Sequence, residues 1–338
     1  MAKGSTAPAP EDARGPLIII GGHEDREGER VILREVARRL NGGRLVVATV
    51  ASHEPEGYFE IYRRAFADLG VTDMAELYVH DRAETLDGKL ARVLDGAAGV
   101  FFTGGDQLRI SSQIGDTPVE RRVREIHAAG GVVAGTSAGA SVMSDTMLVK
   151  GSSSESHRIG DLHMAPGLGL VRDVIIDQHF AERGRIGRLL GAVAQNPRVL
   201  GIGVDEDTAI VATGGRFSVV GNGAVYVVDG EGVTCSNIAE AGSDRALSIH
   251  DVRMHVLSAG DAFDLATRRP TERPGAGRAR RLGRWRACDA ASGRWPHVPR
   301  CRAMVENPVP RESTMTTRNP LRRHSRIAWR SRARPRPG

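Results

Sequence analysis

Residues 132–140 read Val-Val-Ala-Gly-Thr-Ser-Ala-Gly-Ala, and this stretch decides the fold. Its apolar beginning predicts a buried strand over 132–134, and the small residues after Ser137 predict the start of a helix. Between them, residues 135–139 fit the pattern G-x-S-x-G. A tight turn from strand to helix lifts a serine hydroxyl clear of a sheet, and the flanking glycines leave room where a Cβ would clash. Ser137 is therefore a candidate nucleophile; the alternative is an ordinary turn of small residues.

Apolar segments of strand length alternate with segments of helical period before this turn. The predicted strands cover 17–20, 45–50, 76–79 and 99–103, and the predicted helices cover 31–40, 58–69, 86–94 and 119–129. This alternation predicts an α/β fold with a mostly parallel sheet and helices on both faces. After residue 200, short strands over 208–212, 217–220, 224–228 and 247–257 predict an antiparallel extension of the same sheet.

The character of the sequence changes near residue 270. The 338 residues carry a net charge of +6, but residues 271–338 contain 18 arginines and four acidic residues, which leaves a charge of −8 on residues 1–270. All three tryptophans lie after residue 270. A segment so rich in Arg and Pro, without apolar periodicity, buries too little apolar area to offset chain entropy. We therefore expect one folded domain over 16–270, with disordered segments over 1–15 and 271–338.

The basic tail bears on partners and location. Its arginines suit the phosphates of nucleic acid, although a non-functional extension translated out of frame is the interpretation we favour. The sequence has no apolar run typical of a secretory signal or a membrane span, so we expect a cytoplasmic protein without a membrane partner. Cys235 is the one cysteine before residue 271, and no CxxC spacing occurs. We therefore expect neither a disulfide framework nor a metal site.

A serine nucleophile requires a base, because its hydroxyl is a weak nucleophile near neutral pH. His179 stands at the end of an apolar run, in the sequence Val-Ile-Ile-Asp-Gln-His-Phe of residues 174–180. Ligands gather at the carboxyl ends of parallel strands, which makes His179 the candidate base. Position alone leaves a purely structural role for this histidine open.

The third member of such a site is a carboxylate that orients the base. Residues 201–207, Gly-Ile-Gly-Val-Asp-Glu-Asp, bring three adjacent acids to the end of another apolar strand. Adjacent acids repel one another and usually form a solvated loop, but their delivery by a strand indicates that at least one takes part in the site. A serine followed by a histidine and then an acid is not the chain order of α/β-hydrolases. An ordinary esterase or lipase is therefore disfavoured.

Four motifs in this order resemble the cyanophycinase family. They are Gly-Gly-Asp-Gln at 104–107, Gly-Thr-Ser-Ala-Gly-Ala at 135–140, Asp-Gln-His-Phe at 177–180 with three arginines after it, and Gly-Ile-Gly-Val-Asp-Glu-Asp-Thr-Ala at 201–209. The resemblance covers about residues 16–270 and excludes the tail. It implies the flavodoxin-like fold of class I glutamine amidotransferases, with serine in place of their cysteine.

The resemblance also implies an activity. Members of the family are serine-type exopeptidases that act as dimers without a metal or other cofactor, and their triad corresponds to Ser137, His179 and Glu206. Their substrate is cyanophycin, a poly-aspartate backbone with arginine joined through isopeptide bonds to its side-chain carboxyls. The product is the β-aspartyl-arginine dipeptide.

Each unit of that polymer has a guanidinium, a free α-carboxylate and a β-linked amide. Planar guanidinium groups hold carboxylates well. For the arginines beside the base, we therefore favour substrate binding over the alternative of a solvated helix face. The candidate substrate-binding residues flank the base or follow the Gly-Gly-Asp turn; they are Gln107, Asp177, Gln178, Arg183, Arg185 and Arg188. The backbone amides of Gly105 and Ala138 are the candidate oxyanion hole.

Three other functions stay open. An aspartyl dipeptidase of the peptidase E type, acting on α-linked Asp-Xaa, would share the fold, but the sequence around His179 favours cyanophycinase. A nucleic-acid-binding protein would use the basic tail, and the acidic body argues against this for the folded part. A nucleotide-binding protein would use the glycine pairs at 21–22 or 104–105, which fit neither G-x-G-x-x-G nor the P-loop.

Overall fold

The computed structural model describes residues 14–53, 55–151, 162–240 and 245–271. All of them belong to one unit, Met1–Arg278, whereas a second unit, Ala279–Gly338, lies outside the described residues. The expected disorder of the two ends concerns residues that lie almost wholly outside the described ranges, and it stays a prediction. Gly15 donates a hydrogen bond from its amide to the His127 carbonyl, and Thr271 ends a paired strand. The folded part therefore extends one residue past each predicted boundary.

Strands and helices alternate through the first half of the described chain, and strands dominate the second half. The strands are β1 Leu17–Ile20, β2 Arg44–Ala48, β3 Met74–Leu77, β4 Ala97–Phe102, β5 Val132–Thr136, β6 Thr146–Lys150, β7 His163–Pro166, β8 Val174–Gln178, β9 Leu200–Val204, β10 Thr208–Thr213, β11 Arg216–Gly221, β12 Val225–Asp229, β13 Cys235–Ser236, β14 Ile249–His250, β15 Arg253–Leu257, β16 Ala262–Asp264 and β17 Arg269–Thr271. The α-helices are α1 Val31–Arg39, α2 Tyr58–Ala67, α3 Gln107–Ile114, α4 Pro118–Ala128, α5 Ala138–Ser141 and α6 Ile186–Gln195. None of these helices is long and apolar enough to cross a membrane.

Nine of the described strands form the main sheet, in the order β17-β16-β11-β10-β1-β5-β4-β2-β3. The half from β1 to β3 is parallel, and β10 starts the antiparallel half on the other side of β1. Ile18 and Ile20 face the cluster that includes residues of α1 and α2, whereas Leu17 and Ile19 face the cluster that includes residues of α3 and α4. Because both faces are buried, the parallel strands are apolar throughout rather than alternating.

A second sheet has the order β15-β12-β9-β8, in which β8 and β9 are parallel. Its core includes Phe180, Leu189 and Val228, to which α6 contributes Leu189. Gly203 of β9 permits this packing, since a Cβ built there would lie 2.5 Å from the Phe180 ring. The two strands that precede His179 and Glu206 thus belong to a different sheet from the strand that precedes Ser137.

Several sequence predictions of secondary structure were wrong. The helix expected over 86–94 is replaced by a 3₁₀ helix, Leu90–Leu94, which follows another 3₁₀ helix at Arg82–Thr85; Gly88 between them adopts a left-handed conformation with φ of 76°. The strand expected over 247–257 is divided at Asp251, which has φ of 61°. The antiparallel strands do not all extend one sheet, because β12 pairs with β9 and not with β11.

Helix α3 was not predicted from the sequence, and it starts directly after the Gly-Gly-Asp turn. The side chain of Asp106 caps this helix by accepting a hydrogen bond from the Leu108 amide at 2.8 Å. An aspartate before a segment with apolar residues at positions 108, 110 and 114 is the usual signal of a helix N-terminus. The cap fixes the direction in which the chain leaves the turn that faces Ser137.

Candidate active site

Ser137 occupies the turn between β5 and α5. Its backbone has φ of 52° and ψ of −111°, which is a strained conformation for a residue with a side chain. The Ser137 amide donates to the Ile20 carbonyl at 3.0 Å, which ties the turn to the end of β1. The sharp turn predicted from G-x-S-x-G is therefore present at this position, with the serine half-buried at the end of the parallel sheet.

Ser137, His179 and Glu206 form one hydrogen-bonded chain. The Ser137 hydroxyl oxygen lies 2.9 Å from His179 Nε2, and His179 Nδ1 lies 2.6 Å from Glu206 Oε1. Since a carboxylate only accepts hydrogen bonds, Nδ1 carries the proton and Nε2 accepts from the serine hydroxyl. The three residues predicted as nucleophile, base and acid therefore come together in the geometry that those roles require.

Backbone hydrogen bonds accepted by the carbonyls of one glycine pair bring the two sheets together here. The His179 amide donates to the Gly21 carbonyl, and the Asp207 amide donates to the Gly22 carbonyl, each at 2.8 Å. The loop after β1 thus fixes both the base and the loop that carries the acid. Gly22 has φ of 109°, and a Cβ built on it would lie 2.3 Å from His179 Cε1. The imidazole therefore rests directly on the glycine backbone.

The three adjacent acids have different positions. Asp205 accepts hydrogen bonds from the amides of Ala181 and Ala224, at 2.9 and 3.1 Å. Asp207 accepts from the amide of Asp25 at 2.8 Å and from the Asn222 side chain. Glu206 alone of the three reaches His179, while the carboxylates on either side hold the surrounding loops in place.

Burial controls the protonation of the base. His179 is 2% exposed, and loss of solvent lowers its pKa below the ordinary value of 6.5. The hydrogen bond to Glu206 acts in the opposite direction, and the charge of Arg183 adds to the lowering. The imidazole is therefore neutral near pH 7 and available to take a proton.

His23 adds a further contact to this chain of residues. Its Nδ1 lies 3.2 Å from Glu206 Oε2, and its ring meets the His179 ring edge-on at 5.2 Å. In the described part of the chain, His23, His179 and Glu206 are the one group of three whose ligand atoms, within 4.8 Å of one another, could hold a metal ion.

The predicted oxyanion hole lies beside the nucleophile. Ala138 is the first residue of α5, where the backbone amide has no acceptor within the helix. Gly105 lines the same cavity as Ser137, and its amide donates no hydrogen bond within the described residues. Two amide donors are therefore free beside the serine, as stabilisation of a developing oxyanion requires.

The arginines after His179 have two different environments. Asp177 is fully buried and binds Arg188 through both of its oxygens, and it also binds Arg185 at 3.1 Å. Arg183 is exposed and makes no side-chain hydrogen bond or ion pair within the described residues. Asp177 is predicted to bind substrate, and here its carboxylate is enclosed by Arg185 and Arg188 and positions them; its contact with substrate stays a prediction. The three arginines do not share one helix face, since α6 begins only at Ile186.

The remaining predicted binding residues lie in the wall of one cavity of about 550 Å³. Gln107 Nε2 donates to the Leu148 carbonyl at 2.8 Å, which holds the side chain against β6. Gln178 accepts a hydrogen bond from Arg185 at 2.8 Å. Ser137, His179 and the three arginines line the same cavity, so every predicted site residue is in or next to it except Glu206 and Asp177, which support residues of its wall.

Arg188→Ala should destabilise the fold, because it removes one of the two cations that compensate the buried Asp177 carboxylate. We expect the free energy of unfolding to fall by about 3 kcal/mol, the lower end of the range for a broken buried pair, since Arg185 remains. Urea denaturation measures this change. Arg183→Ala is the matched control, and its exposed side chain predicts a change within about 0.5 kcal/mol. Equal effects of the two substitutions would contradict this account of the cluster.

Three residues of the site were not predicted from the sequence. Gly22, His23 and Glu24 follow directly after β1, and all three border the nucleophile or the base. Glu24 accepts hydrogen bonds from the Tyr62 hydroxyl and from Thr136 Oγ1, next to the nucleophile in the chain. The signal that could have found them is the rule that identified His179, since they follow the carboxyl end of a parallel strand.

Comparisons with known proteins agree with this geometry. Residues 17–220 match the family described as Peptidase family S51. The cyanophycinase of Synechococcus elongatus is 37% identical over 258 residues, which cover 75% of this chain and 80% of the relative. The cyanophycinase of Trichormus variabilis is 38% identical over 272 residues, covering 79% and 91%. A crystal structure of a peptidase from an acI-B1 Actinobacterium shares the fold, with a TM-score of 0.57 and 21% identity over 75% of this chain and 98% of that one.

Proposed function

This chain belongs to peptidase family S51, and on that premise we propose that it is a cyanophycinase, a serine-type exopeptidase that hydrolyses cyanophycin to β-aspartyl-arginine dipeptides. The observation that carries the proposal is the hydrogen-bonded chain from Ser137 through His179 to Glu206, at 2.9 and 2.6 Å. Ser137 and His179 line a cavity that is also lined by arginines. We infer the substrate from the similar cyanophycinases and the type of reaction from the geometry of the site.

The first half of the reaction forms an acyl-enzyme. The Ser137 hydroxyl attacks the carbonyl carbon of a backbone amide while His179 Nε2 takes its proton. Glu206 holds the imidazole in the correct tautomer and stabilises its positive charge. The amides of Gly105 and Ala138 donate to the oxyanion, and His179 then gives its proton to the leaving nitrogen as the carbon–nitrogen bond breaks.

The second half hydrolyses that ester. A water molecule attacks the acyl carbon, His179 takes one of its protons, and the serine oxygen leaves and regains a proton from the imidazole. Every proton passes through His179 Nε2, so its neutral form is required at the start of each half-reaction. The buried position of the ring favours that form.

Substrate binding follows from the charges in the cavity. We assign Arg183 to a free α-carboxylate of the arginyl branches, because its guanidinium is exposed and unpaired within the described residues. Arg185 and Arg188 share the single negative charge of Asp177, so they stay only partly compensated, and they shape the wall with Gln178. Gln107 is held by β6 in the wall of the same cavity, where it suits the polar backbone of the substrate.

The acidic limb of the pH profile should lie below pH 6.5. Activity is lost when His179 becomes protonated, and burial lowers the pKa of His179, so the neutral base persists to lower pH than in an exposed histidine. Glu206→Gln should move the limb further down, since the Glu206 carboxylate raises that pKa. The measurement is kcat/KM of a small ester against pH. A midpoint above pH 6.5, or a limb that moves to higher pH in Glu206→Gln, would contradict this prediction. The control is Glu60→Gln in α2, which should leave the limb in place.

Product analysis tests the proposed function against its alternative. Purified protein is incubated with insoluble cyanophycin, with unbranched poly-aspartate and with α-linked Asp-Xaa dipeptides, and the products are identified by mass spectrometry. Release of β-aspartyl-arginine from cyanophycin alone supports the proposal. Efficient cleavage of α-linked Asp-Xaa with cyanophycin left intact would make the protein a dipeptidase of the peptidase E type.

The assembly and location complete the proposal. We propose a homodimer in the cytoplasm, on the resemblance to the family described from the sequence. Light scattering of the eluting protein tests the dimer, and fractionation of the producing cell tests the location. Binding to nucleic acid would require the basic residues after 271, and a shift assay with and without them at two salt concentrations decides this.

A further inference from the structure

Glu24 is a buried carboxylate in the wall of the active-site cavity. It is 3% exposed and follows the end of β1. Its Oε1 accepts a hydrogen bond from the Tyr62 hydroxyl at 2.6 Å, and its Oε2 accepts one from Thr136 Oγ1 at 2.5 Å. No Lys, Arg or His of the described ranges forms an ion pair with it. Glu24 thus lies beside the nucleophile without a cation of its own.

A buried carboxylate in this position is costly unless a cation compensates it. Two hydroxyl donors satisfy only part of the hydrogen-bonding capacity of the carboxylate, which has about four lone-pair sites. Glu24 is also the sole acidic side chain among the described residues that line the cavity, whereas four arginines line it. Of these, Arg185 and Arg188 share the single charge of Asp177, Arg26 lies over the Tyr62 ring, and Arg183 has no side-chain partner within the described residues. The cavity therefore offers a place for an anionic group at Arg183 and a place for a cationic group at Glu24.

The surroundings of Glu24 favour a guanidinium over an ammonium. Tyr58 and Ile61 line the cavity from α2 and are 39% and 46% exposed, so an apolar and aromatic surface is available beside the carboxylate. A guanidinium is planar and weakly hydrated, and it stacks on aromatic faces. The protein itself gives an example, since Arg26 Cζ lies 5.7 Å from the centroid of the Tyr62 ring.

We propose that Glu24 binds the guanidinium of the arginyl branch of the substrate and so determines the preference for arginine. The inference rests on the proposed function, because it takes cyanophycin as the substrate. In the complex the guanidinium donates to the free lone pairs of the Glu24 carboxylate, while its planar face and methylene stem contact Tyr58 and Ile61. Glu24 is then a specificity-determining residue. It binds the guanidinium of the arginyl branch, while Arg183 binds the α-carboxylate of a branch.

The test compares two synthetic aspartate oligomers that differ only in the amino acid joined to their side-chain carboxyls. One carries arginine and the other carries citrulline, which has nearly the same shape and no charge. The unsubstituted enzyme should prefer arginine in kcat/KM by roughly 10- to 100-fold, the range expected for a charge-assisted hydrogen bond in a desolvated site. Glu24→Gln should bring that ratio close to one, mainly through slower cleavage of the arginine oligomer.

Glu60→Gln is the matched control for charge. It also removes one negative charge, and Glu60 belongs to the same helix as Tyr58, but its carboxylate pairs with Arg63 and Arg64 and does not line the cavity. The preference for arginine should be unchanged in this variant. Tyr58→Leu is a second probe that needs no change in a buried group, and loss of the aromatic face should lower the preference about 2- to 10-fold.

The other outcomes overturn the inference. An equal loss with both oligomers in Glu24→Gln, with the preference kept, would mean that Glu24 only positions Thr136 and the serine turn. If Glu24→Gln instead abolished discrimination between a free and an acetylated amino terminus, the cation would be an ammonium. If Glu24→Gln did not fold, an unchanged ratio of kcat/KM between the arginine and citrulline oligomers in Tyr58→Leu would also contradict the inference. In each of these cases the unsubstituted enzyme still cleaves the arginine oligomer; its failure to do so would overturn the proposed function, and the inference with it.

Discussion

Ser137→Ala and His179→Ala are each expected to lower kcat with cyanophycin by on the order of 10⁵- to 10⁶-fold, and the double variant is expected to be no slower than either single one. The reason is geometric: the serine hydroxyl and His179 Nε2 share one hydrogen bond at 2.9 Å, and neither can act without the other. The measurement is release of the dipeptide, with thermal unfolding as a check that each variant is folded. Multiplicative losses in the double variant would contradict a common step.

Glu206→Gln should retain a measurable rate. The substitution leaves the imidazole in place but favours the wrong tautomer, an effect of about 10⁴-fold in a well-studied triad. Asp207→Asn is the control among the three adjacent acids, because its carboxylate holds Asp25 and Asn222 and does not reach His179. If Asp207→Asn were as slow as Glu206→Gln, the choice of Glu206 as the acid would be wrong.

Apolar strands precede Ser137, His179 and the three adjacent acids, which made the first two residues candidates, while the resemblance to the cyanophycinase family singled out Glu206. Local patterns locate strand ends well, and ligands gather at the carboxyl ends of parallel strands. They do not reveal which strands pair. The pairing of β12 with β9 joins residues 225–229 to 200–204 across β10 and β11, and no local signal in either segment marks it. The division into two sheets was therefore beyond the reach of sequence patterns.

The arginines show a different limit. Their positions after His179 indicated a cationic cluster, but the spacing could not show that two of them enclose the Asp177 carboxylate. That contact depends on the turn at 180–185, which lets Arg188 of α6 reach Asp177 of β8. A charged residue next to a candidate base is as compatible with compensation by a buried carboxylate as with substrate binding. Only burial separates Arg183 from Arg185 and Arg188.

Gly22→Ala is expected to lower kcat/KM by about 100-fold or more, although residue 22 carries no chemistry. A methyl group there would lie 2.3 Å from His179 Cε1 and 2.6 Å from Nε2, so the imidazole must move away. A displacement of about 1 Å at a catalytic group is sufficient for a loss of this size. The measurement is hydrolysis of both cyanophycin and a small ester, because movement of the base should slow both reactions alike.

Gly42→Ala separates displacement of the base from backbone strain. Gly42 also has a positive φ, 76° against 109° for Gly22, but a Cβ built on it has no neighbour within 4 Å. Each alanine should therefore lower stability, by about 1–2 kcal/mol from the left-handed conformation alone, whereas only Gly22→Ala meets the imidazole. If the two variants lost activity equally, the lower kcat/KM of Gly22→Ala would result from lower stability and not from displacement of His179. A full rate in Gly22→Ala would show that His179 can work from another position, and the contact between glycine and imidazole would then have no part in catalysis.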